Sequence, residues 1–406
     1  MNKTFLAPVL TLAVSSIAHA DFINDSDVNL TARNFYFNRD FRQSGALQSK
    51  REEWAQGLIF KATSGYTDGT LGFGVDLYAA LGLKLDSSDS RAGTGLLPNA
   101  FGNSGPNEYT DISGVFKTRL SKTELKVGGF TPKSPVLLSS DARLLPPLFN
   151  GFTLLSKDIE KVTVDAGQFD AVNYRNSSSN SDDFVAANYG IASDRFRYLG
   201  VDYQATPDIT GALWRAELKD VYQQNYAGVQ FNHIYDGLRL GANIGYFNSS
   251  ESGSERAGAI DNGLFTALVS TAYAGHGVKF GYQDNHGRSP FPYLQDTDPN
   301  TANAIQILEF TRAQERSWQA RYDLDFAPFG MPGLSFFTRY VSGDNYKVAG
   351  RDGHEWERDI DLSYVVQSGP VKGLGLRWRN AMVRSDTSIG DIDENRLILS
   401  YTLPLR

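Results

Sequence analysis

From Ser317 to Phe326 the chain reads SWQARYDLDF, and its residues fall into two sets with a period of two. Trp318, Ala320, Tyr322, Leu324 and Phe326 share one parity, and Ser317, Gln319, Arg321, Asp323 and Asp325 share the other. A pleated strand sends successive side chains to opposite faces, so this segment is a strand with one apolar and one polar face. The split recurs along the chain. Ile360, Leu362, Tyr364 and Val366 oppose Asp359, Asp361, Ser363 and Gln367, and Leu238, Leu240, Ala242, Ile244 and Tyr246 oppose Arg239, Gly241, Asn243 and Gly245. Val278, Phe280 and Tyr282 face away from Lys279, Gly281 and Gln283, as Leu199, Val201 and Tyr203 do from Gly200, Asp202 and Gln204. Such segments of about ten residues, bounded by turn residues, suit two architectures: a soluble antiparallel sandwich and a transmembrane β-barrel.

Export is written at the N-terminus. Met1-Asn2-Lys3 is a short positive region, Phe5 to Val14 is apolar but too short to span a bilayer, and Ala18-His19-Ala20 has the small-x-small form that a signal peptidase cuts. Residues 1–20 are therefore expected to be a signal peptide cleaved after Ala20, and residues 21–406 a single domain, since no linker, charge block or composition shift divides them. Beyond the leader nothing approaches the ~18 consecutive apolar residues of a transmembrane helix. With no cysteine, a disulfide scaffold is excluded, and a net charge of −7 argues against a nucleic-acid partner.

Three features favour the barrel. Aromatic residues near strand ends, at Tyr246-Phe247, Tyr340, Tyr346 and Tyr401, are expected to form interfacial girdles. Some connections are short, such as Thr206-Pro207-Asp208 and Phe329 to Gly333, while others are long and polar, such as Asp86 to Asn107 and Arg288 to Asn303. Closure, finally, pairs every backbone donor and acceptor, as lipid requires. The mature length then accommodates roughly sixteen to eighteen strands, a barrel wide enough for a solute channel.

Several segments resemble the OprD-type porins, also called outer-membrane carboxylate channels. They are Arg33-Asn34-Phe35-Tyr36-Phe37-Asn38-Arg39-Asp40, Arg143-Leu144-Leu145-Pro146, Asp170 to Asp183 around Asn173-Tyr174-Arg175-Asn176-Ser177-Ser178, and Trp318-Gln319-Ala320-Arg321-Tyr322-Asp323. Thr338-Arg339-Tyr340, Arg377-Trp378-Arg379-Asn380 and Asp393-Glu394-Asn395-Arg396-Leu397 complete the set. The resemblance spans the mature chain and implies a monomeric all-β transmembrane antiparallel barrel of about eighteen strands, with an inward-folded constriction loop. It implies passive diffusion of small carboxylates through the bacterial outer membrane, guided by a row of inward arginines. The ending Thr402-Leu403-Pro404-Leu405-Arg406 departs from the aromatic or apolar final residue usual in such barrels.

Parity supports the arginine row independently. Arg377 and Arg379 flank Trp378, so if the indole faces lipid both guanidinium groups face the lumen. Arg396 has the parity opposite to Leu397, Leu399, Tyr401 and Leu403, and Arg39 ends the first strand, which closure pairs with the last. Arg51, after the first hairpin turn, is a fifth member. Arginine suits the task because its planar fork binds a carboxylate bidentately and stays charged. The competing reading is that these arginines only pair with Asp and Glu across strands.

For the constriction, Thr131 to Gly151 is proline-punctuated and too apolar for an exposed loop. Folding it inward buries Val136, Leu137, Leu138, Leu144, Leu145 and Phe149 and leaves Asp141 and Arg143 at the narrow point; the competing reading makes both mere anchors. Arg175 resembles a channel-lining residue of the family's cyclic-acid branch, and Phe291 to Asp296 offers an aromatic surface with Asp296 as an opposing acid. Few acids are placed to receive a cationic end, so cyclic or aromatic acids are favoured over basic amino acids or peptides. The expected partners are carboxylate solutes, outer-membrane lipid and lipopolysaccharide, and the barrel assembly machinery. Five histidines without ligand spacing, and no Gly-x-Ser-x-Gly or Gly-Lys loop, leave no metal, cofactor or catalytic signature. A secreted soluble enzyme or lectin on a β-fold is the alternative from another class.

Overall fold

The computed structural model describes residues 19–43 and 45–406. Most of the expected leader lies outside them; His19–Asn24 forms a short helix ahead of the first strand. The frame is an eighteen-stranded antiparallel sheet that closes on itself. Its strands are β1 (Asp27–Phe41), β2 (Lys50–Thr63), β3 (Leu71–Asp86), β4 (Glu108–Leu120), β5 (Thr123–Phe130) and β6 (Leu148–Ser156). There follow β7 (Val162–Asn173), β8 (Phe196–Gln204), β9 (Ile209–Leu218), β10 (Tyr222–Tyr235), β11 (Leu238–Glu251) and β12 (Asp261–Tyr273). The circle is completed by β13 (His276–Gly287), β14 (Arg316–Asp325), β15 (Leu334–Val348), β16 (Arg351–Val365), β17 (Gly375–Ser385) and β18 (Ile392–Pro404). Each strand pairs with its sequence neighbours, and β18 returns to β1 in a register that sets Tyr36 against Leu397 and Arg39 against Glu394.

Which parity faces outward separates barrel from sandwich. In β18, Leu397, Leu399 and Leu403 are exposed while Glu394 and Arg396 are buried, and Leu199 and Val201 of β8, Leu213 of β9 and Val278 and Phe280 of β13 are likewise exposed. A soluble sandwich would turn these rows inward. Exposed apolar rows around the circumference, with charge enclosed behind them, are the inverse arrangement that lipid stabilises. No edge remains unpaired, which removes the backbone cost of crossing a bilayer.

Connections at the end bearing the two termini are short. Three of them are two-residue turns, and in Asp236-Gly237 and Ala274-Gly275 both residues take positive φ as tight hairpins of this hand require. At the other end, 87–107, 131–147, 174–195 and 288–315 are long, although Ala349-Gly350 is as tight as any turn below. Residues 131–147 fold inward as expected, burying Leu137, Leu144 and Leu145, while Phe149 proves to be the second residue of β6.

The girdle expectation needs correction. Phe247 and Tyr346 are buried, at 1% exposure each. Phe247 has the inward parity of β11 and packs on loop residue Phe291 at 5.1 Å between ring centroids. A shift in the β15–β16 pairing between Gly343 and Tyr346 turns the latter ring over Gly353 on the inner face. Tyr246, by contrast, is exposed on the outer face.

Candidate solute channel

Register, rather than sequence proximity, assembles the basic wall. On the inner face Arg379 of β17 stands opposite Arg396 of β18, which stands opposite Phe37 of β1. One rung toward the long loops, Glu394 stands opposite Arg39, which stands opposite Arg51 of β2. Two carboxylates hold four of these arginines. Glu394 accepts from Nε of Arg39 at 2.6 Å and from Nε of Arg396 at 2.6 Å. Asp361 lies 2.7 Å from Arg377 and 3.1 Å from Arg379. Four cations on two anions leave the cluster with an excess of positive charge.

The members are not equally open. The Arg377 side chain is 44% exposed, whereas those of Arg379 and Arg39 are 15% and 14%. Arg396 is enclosed, its guanidinium donating to the carbonyl of Gln306, whose amide in turn donates to Glu394. Arg51 stands apart: it donates to Gln48 and lies over the Phe41 ring, with no carboxylate at ion-pair distance among the described residues.

The wall extends beyond the residues singled out from sequence. Arg339 pairs with Asp359 at 2.6 Å, and Arg321 and Lys279 both approach Asp323. Lys279, Arg321 and Arg339 are consecutive register partners on β13, β14 and β15. Their parity in the alternating segments was the available signal.

Three loops meet against this wall, where the constriction is expected. Ser139 bridges Thr297, Ala186 bridges Leu294, and the Ser140 amide donates to the Asp296 carbonyl at 3.1 Å. Within this weave Arg175 forms an ion pair with Asp296, whose carboxylate also accepts the Arg175 amide at 3.1 Å. Asp141 instead meets the barrel: Arg33 grips it with both terminal nitrogens, at 2.7 and 2.9 Å, and also donates to the Arg143 carbonyl. Arg33 was quoted above only for the resemblance, yet it fastens the loop.

Arg143 has carbonyl partners only, those of Thr94 and Ala142, each at 3.0 Å. Its guanidinium lies 5.2 Å from the Phe37 ring centroid, and those of Arg396 and Arg39 lie at 5.1 and 5.5 Å. Phe37 is thus ringed by three cations, each gaining from the face of the ring. Burial, with Arg396 and Arg175 nearby, pulls the Arg143 guanidinium well below the usual arginine range. A bound anion would relieve that cost. The structure therefore brings Arg143, Arg175 and Asp296 into the loop weave, and Arg39, Arg377, Arg379 and Arg396 onto the wall, while Asp141 anchors and Arg51 stands to one side.

Comparison with known proteins agrees with the barrel fold. The model of the family described as outer membrane porin, OprD family, matches residues 20–405. The porin-like protein GalP of Pseudomonas putida is 39% identical over 98% of both chains. The crystal structure of Pseudomonas aeruginosa OccK9 (OpdG) superposes with a TM-score of 0.92 at 48% identity, covering 95% of this chain and all of that one. Pseudomonas aeruginosa OpdK, solved with vanillate, superposes with a TM-score of 0.89 at 38% identity over 94% of this chain and all of that one.

Proposed function

Because the chain belongs to the OprD family of outer membrane porins, we propose that it selects small carboxylate-bearing nutrients, cyclic and aromatic acids above all, and lets them diffuse inward along its arginine wall. The observation that carries this reading is the two-to-one ratio of arginine to carboxylate at Glu394 and Asp361, with Arg377 open to a passing solute. Pairing alone would neutralise the wall; an excess of cation instead offers a mobile anion several shallow sites in succession. Arg377 and Arg379 are two residues apart on one strand, a step of roughly 7 Å, short enough for a carboxylate to be passed between them.

The choice between acids and basic amino acids rests on Asp141 and Asp296. Each is already engaged by an arginine, Arg33 and Arg175 respectively, so neither offers a free anion to an ammonium or guanidinium group. A relative solved with vanillate, an aromatic carboxylate, points the same way.

The test is single-channel conductance of the refolded mature protein in a planar bilayer, with benzoate and then arginine as competing solutes. Benzoate is expected to perturb the current and arginine to leave it unchanged. Replacing Arg377 and Arg379 together with Ala is expected to lower anion preference by about tenfold, some 1.4 kcal/mol. Unchanged selectivity in that variant overturns the ladder.

A further inference from the structure

The outer face of β8 to β12 carries a feature the channel does not use. One register line crosses it: Val201, Leu213, Ala227, Tyr246 and Phe265 stand opposite one another in turn. One rung toward the short turns come Tyr203, Gly211, Val229, Ile244 and Ala267. Between large neighbours, Ala227 and Gly211 leave the wall low, and a side chain added at Gly211 would meet nothing within 4 Å. The result is an apolar cleft of about 510 Å³ lined by Leu213, Ala227, Val229, Ile244, Tyr246 and Phe265 among others.

That cleft runs upward without a break. A second hollow shares Val201, Leu213, Ala227 and Tyr246 with it and adds Leu199, Arg215, Asn225 and Asn248. A third, toward the long-loop end, shares Leu199 and Arg215 and adds Arg197 and Glu217. From Leu199 to Tyr203 the apolar part of the groove covers roughly 13 Å of strand, enough for most of an extended fatty acyl chain. Its upper end is basic and amide-rich. Arg197, 64% exposed, pairs with Glu217. Exposed Arg215 donates to Gln223 at 2.5 Å and has no carboxylate at ion-pair distance among the described residues. Gln223, Ser250, Asn225 and Asn248 border the two arginines on the same face.

We infer that this groove is a binding site for one phosphorylated, acylated glycolipid of the outer leaflet, with its phosphate on Arg215 and Arg197, its sugar on the amide shelf, and one acyl chain along Leu199, Leu213, Ala227 and Ile244. An arginine fork matches phosphate bidentately, and a cation at the edge of the apolar belt attracts an anionic headgroup. The long-loop end selects the leaflet. A glycerophospholipid would satisfy the acyl groove but leave the shelf of four amide and hydroxyl side chains unmatched.

The experiment is native mass spectrometry of the mature protein purified from outer membranes in detergent, delipidated and titrated with a diphosphorylated hexa-acyl glucosamine disaccharide. The same lipid without phosphate and phosphatidylglycerol are the competitors. One bound glycolipid is expected, weakened by about tenfold in Arg215→Glu and lost in Ala227→Trp, which fills the groove. Leu362→Trp, on the outer face of β16, should leave binding unchanged. Should Ala227→Trp fail to fold, Arg215→Glu decides alone, with heat-modifiable migration as the check on its barrel. Retention unchanged in Arg215→Glu, or equal binding of the dephosphorylated lipid or phosphatidylglycerol, overturns the site.

Discussion

The two halves of the lumen wall obey the same alternation and carry opposite chemistry. From β13 round to β1 the inner face presents Lys279, Arg321, Arg339, Arg379, Arg396 and Arg39 with their shared carboxylates. From β7 to β12 it presents Phe169, Tyr198, Trp214, Tyr226, Phe247 and Leu264, all buried. Near the long loops the aromatic half is filled: Leu137, Phe184, Phe291 and Leu294 complete one cluster with those rings, while nearer the short turns Asp202, Thr210, Gln230 and Asn243 line an open polar hollow. A barrel of this girth would otherwise hold water throughout. Apolar loop residues plug one side and leave the charged side uncovered, which is where the proposed carboxylate path runs. Polar-inside is thus no rule for a barrel lumen; the inner face takes the polarity of whatever occupies it.

Substitutions in each half should separate their roles. Phe247→Ala removes a ring that sits 4.5 Å from Tyr226 and 5.1 Å from Phe291. Its loss from a filled interior is expected to cost about 3–5 kcal/mol of stability, measured by urea unfolding in detergent, and to widen the conductance as the loop loosens. If conductance is unchanged, the aromatic half does not set the width of the path. In the charged half, Glu394→Gln strips Arg39 and Arg396 of their common anion and is expected to cost about 3 kcal/mol while raising anion preference. A rise in cation preference instead would mean the wall's charge excess is not felt by the solute. Asp141→Asn weakens the Arg33 grip at a carboxylate that is 58% exposed, so about 1 kcal/mol or less is expected. Its signature should be added current noise from the 131–147 loop, with selectivity intact.

The charged half was legible in part in the sequence and the aromatic half was not. Inward parity placed Arg377, Arg379 and Arg396 on the condition that Trp378 and Leu397 face lipid, and both are exposed on the outer face. Closure placed Arg39 beside Glu394. Parity fails where both faces are apolar, and Phe247 beside Tyr246 reads as a girdle pair until the loop that covers one of them is in place. Loop docking is set by contacts more than forty residues distant in sequence, such as Phe247 with Phe291 and Ser139 with Thr297, and no local pattern encodes them. The partners of Asp141 and Asp296 were hidden for the same reason, since each meets an arginine on a different element.

The loop 288–315 spans the two halves, and its ends should respond differently to pH. Phe291 and Leu294 pack in the aromatic cluster, while Ile307 and Leu308 donate their amides to buried Glu357 and Arg312 reaches Glu355 on the charged side. Between them, burial, then Glu355 and Asp298, push the Glu309 carboxyl up to about 7, against the pull of Arg312. A free carboxyl of this type titrates near 4.3, so the docked loop binds the proton more tightly than the released one. Docking is then fully favoured below about 4.3, loses stability as pH rises through about 7, and levels off above. Only the arm near Glu309 should feel this. Trypsin cleavage at Arg312 is therefore expected to slow at pH 6 relative to pH 8, after correction for the enzyme's own profile, while cleavage at Arg288 keeps a constant ratio. Glu309→Gln, neutral at every pH, should reduce the difference, and what remains belongs to Glu315, whose carboxyl burial and Glu355 also push up and which accepts the Arg312 amide. Glu309 is only partly buried, so solvent screens the shift and this is the smallest effect of the four. Equal pH sensitivity at both arginines would show the loop to move as one body, and the division between the halves would not extend to its docking.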